Sequence, residues 1–414
     1  MAWYEDKRTR YLVLAEKPSQ LKALSAALPK SKSIVLESLC GHCLGLADLA
    51  AYGLDGSWVS LTDKLPFIPK RFLRVPVESK FKSSLSAKQR IERVAESAAT
   101  VDAIVLACDP DNEGMALGFE VLEHLGVANK IVGAINTSKL DAESLRAEIQ
   151  DIRTLRWREM AAAGMARAEY DWSLGINGTI LASVQLGQGD TLHVGGVKLP
   201  TLRCVVERER AITSHVTQYY YTVGGRARHE ASGAAFDFEL KVDRHTELSK
   251  RTAELVRNQL RQQPHCRVTD YAEKLGLEQA PPKPFSLADL QSEASIKLRK
   301  APGLTLKLAQ QLYEAGHVSY PRTDCRHYAE GQRAEVPHIM KNLLQQDEYG
   351  RHEFPKPFHA STAIFQNSKV SAHTALSVTS KQLTTTLDQN QLSVYKLVAT
   401  RYAIQFMRKF GYNS

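Results

Sequence analysis

Two short, wholly apolar runs that stop abruptly at acidic residues constrain this chain most. The first is YLVLA at residues 11–15, followed by Glu16-Lys17-Pro18-Ser19. The second is AIVLA at residues 103–107, followed after Cys108 by Asp109-Pro110-Asp111-Asn112-Glu113-Gly114. An apolar run too short for a helix and without polar alternation predicts a strand buried on both faces. After the second run the pattern is helical over residues 115–125 and closes at Gly126. Strands alternating with helices predict a parallel α/β sheet, whose ligand site lies beyond the carboxyl ends of the strands. Both acidic clusters fall there.

Asp109, Asp111 and Glu113 stand at alternate positions, and like charges packed this closely repel one another unless a cation holds them. Hard oxygen donors at this density suit Mg²⁺, the other reading being an acidic surface turn. Glu16 and Lys17 occupy the equivalent place after the first strand. Alone they read as a surface ion pair; beside the triplet, Glu16 could donate a proton or bind metal and Lys17 could hold a phosphate. A third constellation is GHVSYPRTD at residues 316–324. Tyrosine is a weak nucleophile at its ordinary pKa of ~10, and Arg322 could both stabilise the phenolate of Tyr320 and grip a phosphate through two hydrogen bonds. On composition alone such a loop is more often structural.

Residues 155–186 continue helical, GQGDT opens a loop at Gly187, and residues 199–212 resume a helical pattern. Apolar and polar residues alternate over 219–242, which predicts antiparallel strands. Gln279-Ala280-Pro281-Pro282-Lys283-Pro284 reads as a stiff linker. Beyond it, Ser286 and Asp289 signal a helix start, and Leu287, Leu290, Ala294 and Leu298 share one face. A second helix is expected over 305–315, with Ala301-Pro302-Gly303 between the two, so the pair could form a helix-turn-helix.

A length of 414 residues implies about two to four domains. The net charge of +9 favours an anionic partner, in a soluble protein most often nucleic acid. The N-terminus lacks the apolar core of a signal peptide and no stretch approaches the ~18 apolar residues of a membrane span, so a cytoplasmic protein is expected, nucleoid-associated where the anionic partner is DNA. Six scattered cysteines do not make a disulfide framework. Cys40-Gly41-His42-Cys43 could be a dithiol or half a zinc site, but no second pair lies nearby. The expected reading is two small buried residues flanking a turn. No Gly-x-x-x-x-Gly-Lys-Ser/Thr loop for ATP is present.

In this order, the pieces resemble the type IA DNA topoisomerases, topoisomerase III in particular. YLVLAEKPSQ (11–20) resembles the opening strand and loop of that family, ACDPDNEGMAL (107–117) the metal motif of a TOPRIM domain, and residues 316–324 the active-site tyrosine motif. ARAEYDWSLGINGTILAS (166–183), VGGVKLPTLRCVVERERAI (194–212), FSLADLQSEASIKLRKAPGLTLKLAQQLYE (285–314) and AHTAL (372–376) follow the family as well.

The resemblance implies a Rossmann-like TOPRIM domain over 1–153, a helical DNA-binding segment over 154–214, a β-rich arch over 215–280 and a helical domain with the tyrosine over 281–414. Tyr320 is then the nucleophile, Arg322 its partner on the scissile phosphate, and Glu16 the proton donor to the departing 3′ oxygen. Lys17 and His373 would contact phosphate, and Asp109, Asp111 and Glu113 would hold Mg²⁺. Arg167, Asp171, Asn177, Lys198, Gln291 and Thr323 would contact DNA. The implied activity is ATP-independent cleavage and rejoining of one strand through a 5′-phosphotyrosine, relaxing or decatenating DNA. The implied partners are DNA, chiefly single-stranded, together with a helicase or single-strand-binding protein. A TOPRIM nuclease or primase and a non-enzymatic helix-turn-helix protein are the alternatives. Asn112, Ile180 and Gly196 stand where the family usually carries arginine, so weaker or rearranged phosphate contacts are expected. Family members continue beyond the point matching Phe410 and return to close a ring around DNA. An incomplete toroid that binds and cleaves single strands but relaxes DNA poorly is therefore expected.

Overall fold

The computed structural model describes residues 3–6, 8–78, 85–241, 248–263, 265–267, 277–352, 354, 358, 362–370, 373–383, 387–407 and 410–412. Val242, at the end of the alternating stretch, Ala372 of the AHTAL motif and the terminal Ser414 lie outside them. Two compact units divide the chain: residues 1–196 with 278–411, and residues 197–277 with 412–414.

The first unit is built on β1 (Tyr11–Ala15), α1 (Pro18–Ala27), β2 (Ile34–Ser38), β3 (Leu44–Leu46), β4 (Arg74–Pro76), α2 (Ala87–Ala99), β5 (Ala103–Ala107), α3 (Asn112–His124), β6 (Ile131–Ala134) and α4 (Ala142–Glu148). Four strands pair in parallel in the order β2-β1-β5-β6. β3 and β4 form a separate antiparallel pair. Every residue of β1 and β5 is buried, as two apolar runs without alternation require. Their side chains split by parity. Leu12, Leu14, Ile104 and Leu106 join Met115, Val121 and Trp157 on one face, while Tyr11, Val13, Ala15 and Val105 join Leu24, Leu312 and Tyr313 on the other. Burying each Leu or Val contributes roughly 1.5–3 kcal/mol, so the two central strands anchor both cores.

The chain leaves β1 toward β2 on one side, and β5 toward β6 on the other. The strand ends of β1 and β5 therefore flank a switch point, where an open parallel sheet leaves a crevice. α3 begins three residues before the position its apolar pattern suggests, because Asp111 caps it by accepting from the Gly114 amide at 2.7 Å. Gly114 is required there: a Cβ would fall 2.3 Å from the Asp109 carbonyl and 2.9 Å from a Glu16 carboxylate oxygen.

α5 (Trp157–Leu186) runs along α3. In the second unit lie α6 (Lys198–Thr213), the antiparallel hairpin of β7 (Gly224–Arg228) and β8 (Ala235–Glu239), and α7 (Lys250–Gln262). The first unit resumes with α8 (Leu287–Leu298), α9 (Pro302–Glu314), α10 (Val336–Leu344) and α11 (Gln389–Ala403). Ser286 and Asp289 form the anticipated capping box. α9 starts at Pro302 rather than residue 305, since proline is tolerated in the first helical turn where no N–H partner is needed.

Candidate active site at the strand ends

The carboxyl ends of β1 and β5 bring Glu16 and Asp109 together, each 5% exposed. The Asp109 amide donates to Glu16 Oε2 at 3.2 Å, and Lys17 Nζ bridges Glu16 Oε1 at 3.0 Å and Asp109 Oδ2 at 3.1 Å. Gln20, one turn into α1, locks the pair: its Oε1 accepts from the Glu16 amide and its Nε2 donates to Asp109 Oδ1 at 2.5 Å. Tyr313 donates to the Thr137 carbonyl at 2.5 Å and lies 3.4 Å from Asp109 Oδ1. Burial, then the Glu16 charge, pushes the Asp109 carboxyl up to about 7 against the pull of Lys17. Burial opposes the Lys17 charge, but Asp109 and Glu16 outweigh it and raise its pKa.

Tyr320 enters from the loop after α9. Its amide donates to the Ser138 carbonyl at 2.8 Å, and its phenol donates to Asp111 Oδ2 at 2.5 Å. The ring stands edge-on to Tyr313 at 5.3 Å and 5.2 Å from the His373 ring. Burial, then Asp109 and Asp111, hold the phenol well above its ordinary pKa. Burial lowers the pKa of His373 against the pull of Asp111 and Asp324.

Glu113 faces two arginines and a histidine: His42 Nε2 at 3.1 Å, Arg167 at 3.3 Å and Arg322 at 3.5 Å. The His42 hydrogen bond, against burial and with Arg322 and Arg167 behind it, draws its carboxyl down to about 2.

Asp109, Asp111 and Glu113 offer only oxygen donors, and the crowding of Asp109 against Glu16 leaves surplus negative charge that a hard cation would relieve. They suit such an ion chemically. In this arrangement each turns to a different partner, and among the described residues no three His, Cys, Asp or Glu side chains are gathered for metal binding.

The DNA topoisomerase family matches residues 157–414, and the Toprim domain matches residues 11–140. The chain belongs to the type IA DNA topoisomerase family. DNA topoisomerase 3 of Vibrio cholerae is 27% identical over 429 residues, covering 95% of this chain and 64% of the relative. The Salmonella typhimurium DNA topoisomerase 3 is 29% identical over 427 residues with the same coverage of both. Full-length topoisomerase I from Thermotoga maritima shares the fold, with a TM-score of 0.63, 20% identity, and 97% of this chain and 62% of that chain covered. The chain thus spans just under two thirds of the length of these relatives. A Toprim domain is a divalent-metal domain.

In this topoisomerase-family chain Glu16, Lys17, Asp109, Asp111, Glu113, Arg167, Tyr320, Arg322 and His373 meet at the strand ends. Four other residues anticipated as DNA contacts have the following neighbours in the fold. Asn177 spends its amide on the Phe67 backbone and the Ser173 carbonyl. Gln291 donates to the Pro302 carbonyl at 3.1 Å, tying α8 to the start of α9. Thr323 is buried and accepts from the Cys325 amide. Asp171 sits on α5 with a carboxylate oxygen 2.9 Å from where a Gly196 Cβ would lie, so an arginine at 196 would have to grow past it. Lys198 opens α6 in the second unit. Ile180 is buried, 3% exposed, where an arginine would lack solvent.

Cys40 corrects one expectation: only Cys43 is buried, while Cys40 is exposed because the turn at Gly41 lifts it off the core. Gln20, Tyr313 and His42 escaped notice as site residues. Gln20 stands four residues after Glu16, one helical turn, which was the available signal. Tyr313 carried none, since its partner Asp109 lies 204 residues away, and His42 stood out only as part of the Cys40–Cys43 turn, its partner Glu113 lying 71 residues further on.

Proposed function

We propose that this chain cleaves and rejoins one DNA strand through Tyr320, as the strand-passage core of a type IA topoisomerase. The observation that carries the reading is the Tyr320 phenol, delivered by the loop after α9 onto the carboxylates beyond β1 and β5, 2.5 Å from Asp111. The Tyr320 oxygen attacks a backbone phosphorus, forming a 5′-phosphotyrosyl bond and breaking the bond to the 3′ oxygen. Asp111 Oδ2 accepts from the phenol and holds it at the strand ends, and the tyrosine proton leaves to solvent as the phosphorus bond forms. Glu16 supplies a proton to the departing 3′ oxygen, and Lys17, Arg322 and His373 face the phosphate. Because one phosphodiester replaces another, the reverse attack restores the strand without ATP.

Mg²⁺ is the proposed cation: Asp109, Asp111 and Glu113 would hold it, and it would supply electrostatic stabilisation of the phosphoryl transition state. The substrate is single-stranded DNA. The proposed sections are the Toprim domain over 1–153, the helical segment over 154–214, the β-rich section over 215–280 and the tyrosine-bearing section over 281–414.

Incubation with end-labelled single-stranded DNA and Mg²⁺, followed by denaturation, tests the reading. The wild-type chain is expected to retain labelled DNA covalently. Tyr320→Phe is expected to retain none while binding the same strand with nearly unchanged affinity, because only the nucleophilic oxygen is lost. Adduct persisting in Tyr320→Phe refutes the assignment.

A further inference from the structure

The Cys40-Gly41-His42-Cys43 turn is not used by the chemistry above, yet it touches the site. The two sulfurs lie 3.6 Å apart, and a disulfide needs about 2.05 Å, so closure asks for an approach of roughly 1.5 Å. Gly41, at φ 82°, takes the left-handed conformation that folds one cysteine back over the other. The pair is asymmetric: Cys40 is exposed, and Cys43 is 1% exposed in the core with Leu12, Leu14 and Leu39. Burial pushes the Cys43 thiol up to about 12, which suits it to the second step of an exchange rather than the first.

The turn is also tied to the strand ends. The Gly41 amide donates to the Glu16 carbonyl at 3.1 Å, and His42, between the two cysteines, hydrogen-bonds Glu113 at 3.1 Å. Cys43 is fixed by its packing and by the Val77 amide, which donates to its carbonyl at 3.1 Å. The movement needed to close a disulfide therefore falls on Cys40, Gly41 and His42. A zinc reading is not favoured, because His42 is turned away to Glu113.

We propose that Cys40 and Cys43 form a reversible dithiol–disulfide site whose reaction partner is a small-molecule disulfide, and that its oxidation draws His42 away from Glu113. The Cys40 thiolate attacks one sulfur of the small disulfide, forming a mixed disulfide and releasing one thiolate. The Cys43 thiol then loses its proton to solvent and attacks the Cys40 sulfur, expelling the second thiolate. Two protein thiols are oxidised and one small disulfide is reduced to two thiols. His42 acts as a positioning residue for Glu113, and the consequence for DNA cleavage rests on the proposed role of Tyr320 and the strand-end carboxylates.

The full chain, incubated with oxidised glutathione, alkylated and digested with trypsin, tests the chemistry without DNA. The expected product is the peptide spanning residues 33–64 with two hydrogens lost and both cysteines protected from alkylation, reverting on addition of dithiothreitol. Alkylation of both cysteines, or glutathione retained on Cys40, overturns the proposal, and Cys40→Ser is expected to give no such product. The second readout is adduct yield on single-stranded DNA. It is expected to fall about tenfold on oxidation, as when a carboxylate ligand loses the partner that orients it, and to return with dithiothreitol. Cys40→Ser is expected to be insensitive to the oxidant. Disulfide formation with unchanged adduct yield overturns the link to Glu113. An absence of adduct in both redox states counts against the Tyr320 reading, and the peptide map still decides the dithiol.

Discussion

Asp111 does two things with two oxygens: Oδ1 caps α3 through the Gly114 amide, and Oδ2 takes the Tyr320 hydroxyl. Asp111→Asn keeps an acceptor for the cap and removes the charge. Rejoining is expected to slow by at least about tenfold, and more than initial cleavage, because the carboxylate is assigned to aligning the broken ends through the cation. Equal loss of both steps, measured by single-turnover cleavage and salt-induced reversal, would contradict this division. A second residue reports on the loop itself. His317 is 2% exposed, its Nδ1 has no hydrogen-bond partner among the described residues, and burial with Lys381 nearby lowers its pKa to about 4. A histidine depressed in the folded state is protonated more readily when unfolded. Stability is therefore retained above the ordinary value of about 6.5 and lost as pH falls from there toward 4, by on the order of 3 kcal/mol when complete. His317→Gln removes this titration, so its melting temperature is expected to decline less than the wild type's between pH 6.5 and 4. Parallel declines would refute the assignment.

At the scale of elements, the site depends on how closely α5 approaches the first turn of α3. Gly164 makes that approach possible: a Cβ there would lie 2.1 Å from the Asn112 carbonyl and 2.8 Å from the Ala116 methyl. On an exposed helix, glycine to alanine stabilises by roughly 0.5–1 kcal/mol. Here the overpacking reverses the sign, and Gly164→Ala is expected to destabilise by about 1–3 kcal/mol, read as a lowered melting temperature. Since Asn112 belongs to the turn that carries Asp111 and Glu113, adduct yield is expected to fall with it. An unchanged or raised melting temperature would show that the helices can separate without cost. Local sequence rules served well at this scale. The Ser286–Asp289 box and the breaks at Gly126 and Gly316 were legible because capping and left-handed turns depend on neighbours in the chain. Gly164 was not, because its reason is a carbonyl 52 residues earlier in sequence.

For the first unit as a whole, Tyr320 is 3% exposed, so a DNA strand can reach it only if the contacts over it part. Contacts near it join residues 138–143 to residues 320–380: Ser138 to Tyr320, Lys139 to Glu335, Glu143 to His338 and Asp141 to Ser380. Burial, with Asp109 and Asp111, holds the phenol well above its ordinary pKa, which under the proposed mechanism keeps it inert until a strand enters. Lys139 is largely buried, whereas Glu335 is partly exposed, so Lys139→Gln weakens the closure without leaving a buried charge unpaired. Adduct formation on single-stranded DNA is expected to rise about two- to tenfold in rate, with little change in the final yield. A slower reaction would mean that the pair positions the site rather than holding it shut.

The two apolar runs, their acidic endings and the tyrosine loop determined by themselves that this chain builds a parallel sheet with a charged crevice, because strand burial and helix capping are set by residues adjacent in the chain. The sequence motifs likewise brought the family resemblance into view. Only the tertiary structure decided that Gln20 and Tyr313 lock Asp109, that His42 shares Glu113 with two arginines, and that Asn177 bonds the Phe67 backbone while Gln291 bonds the Pro302 carbonyl. A hydrogen bond between residues remote in sequence leaves no periodicity or spacing in the chain, and its partner is chosen by the packing of elements that meet only after folding.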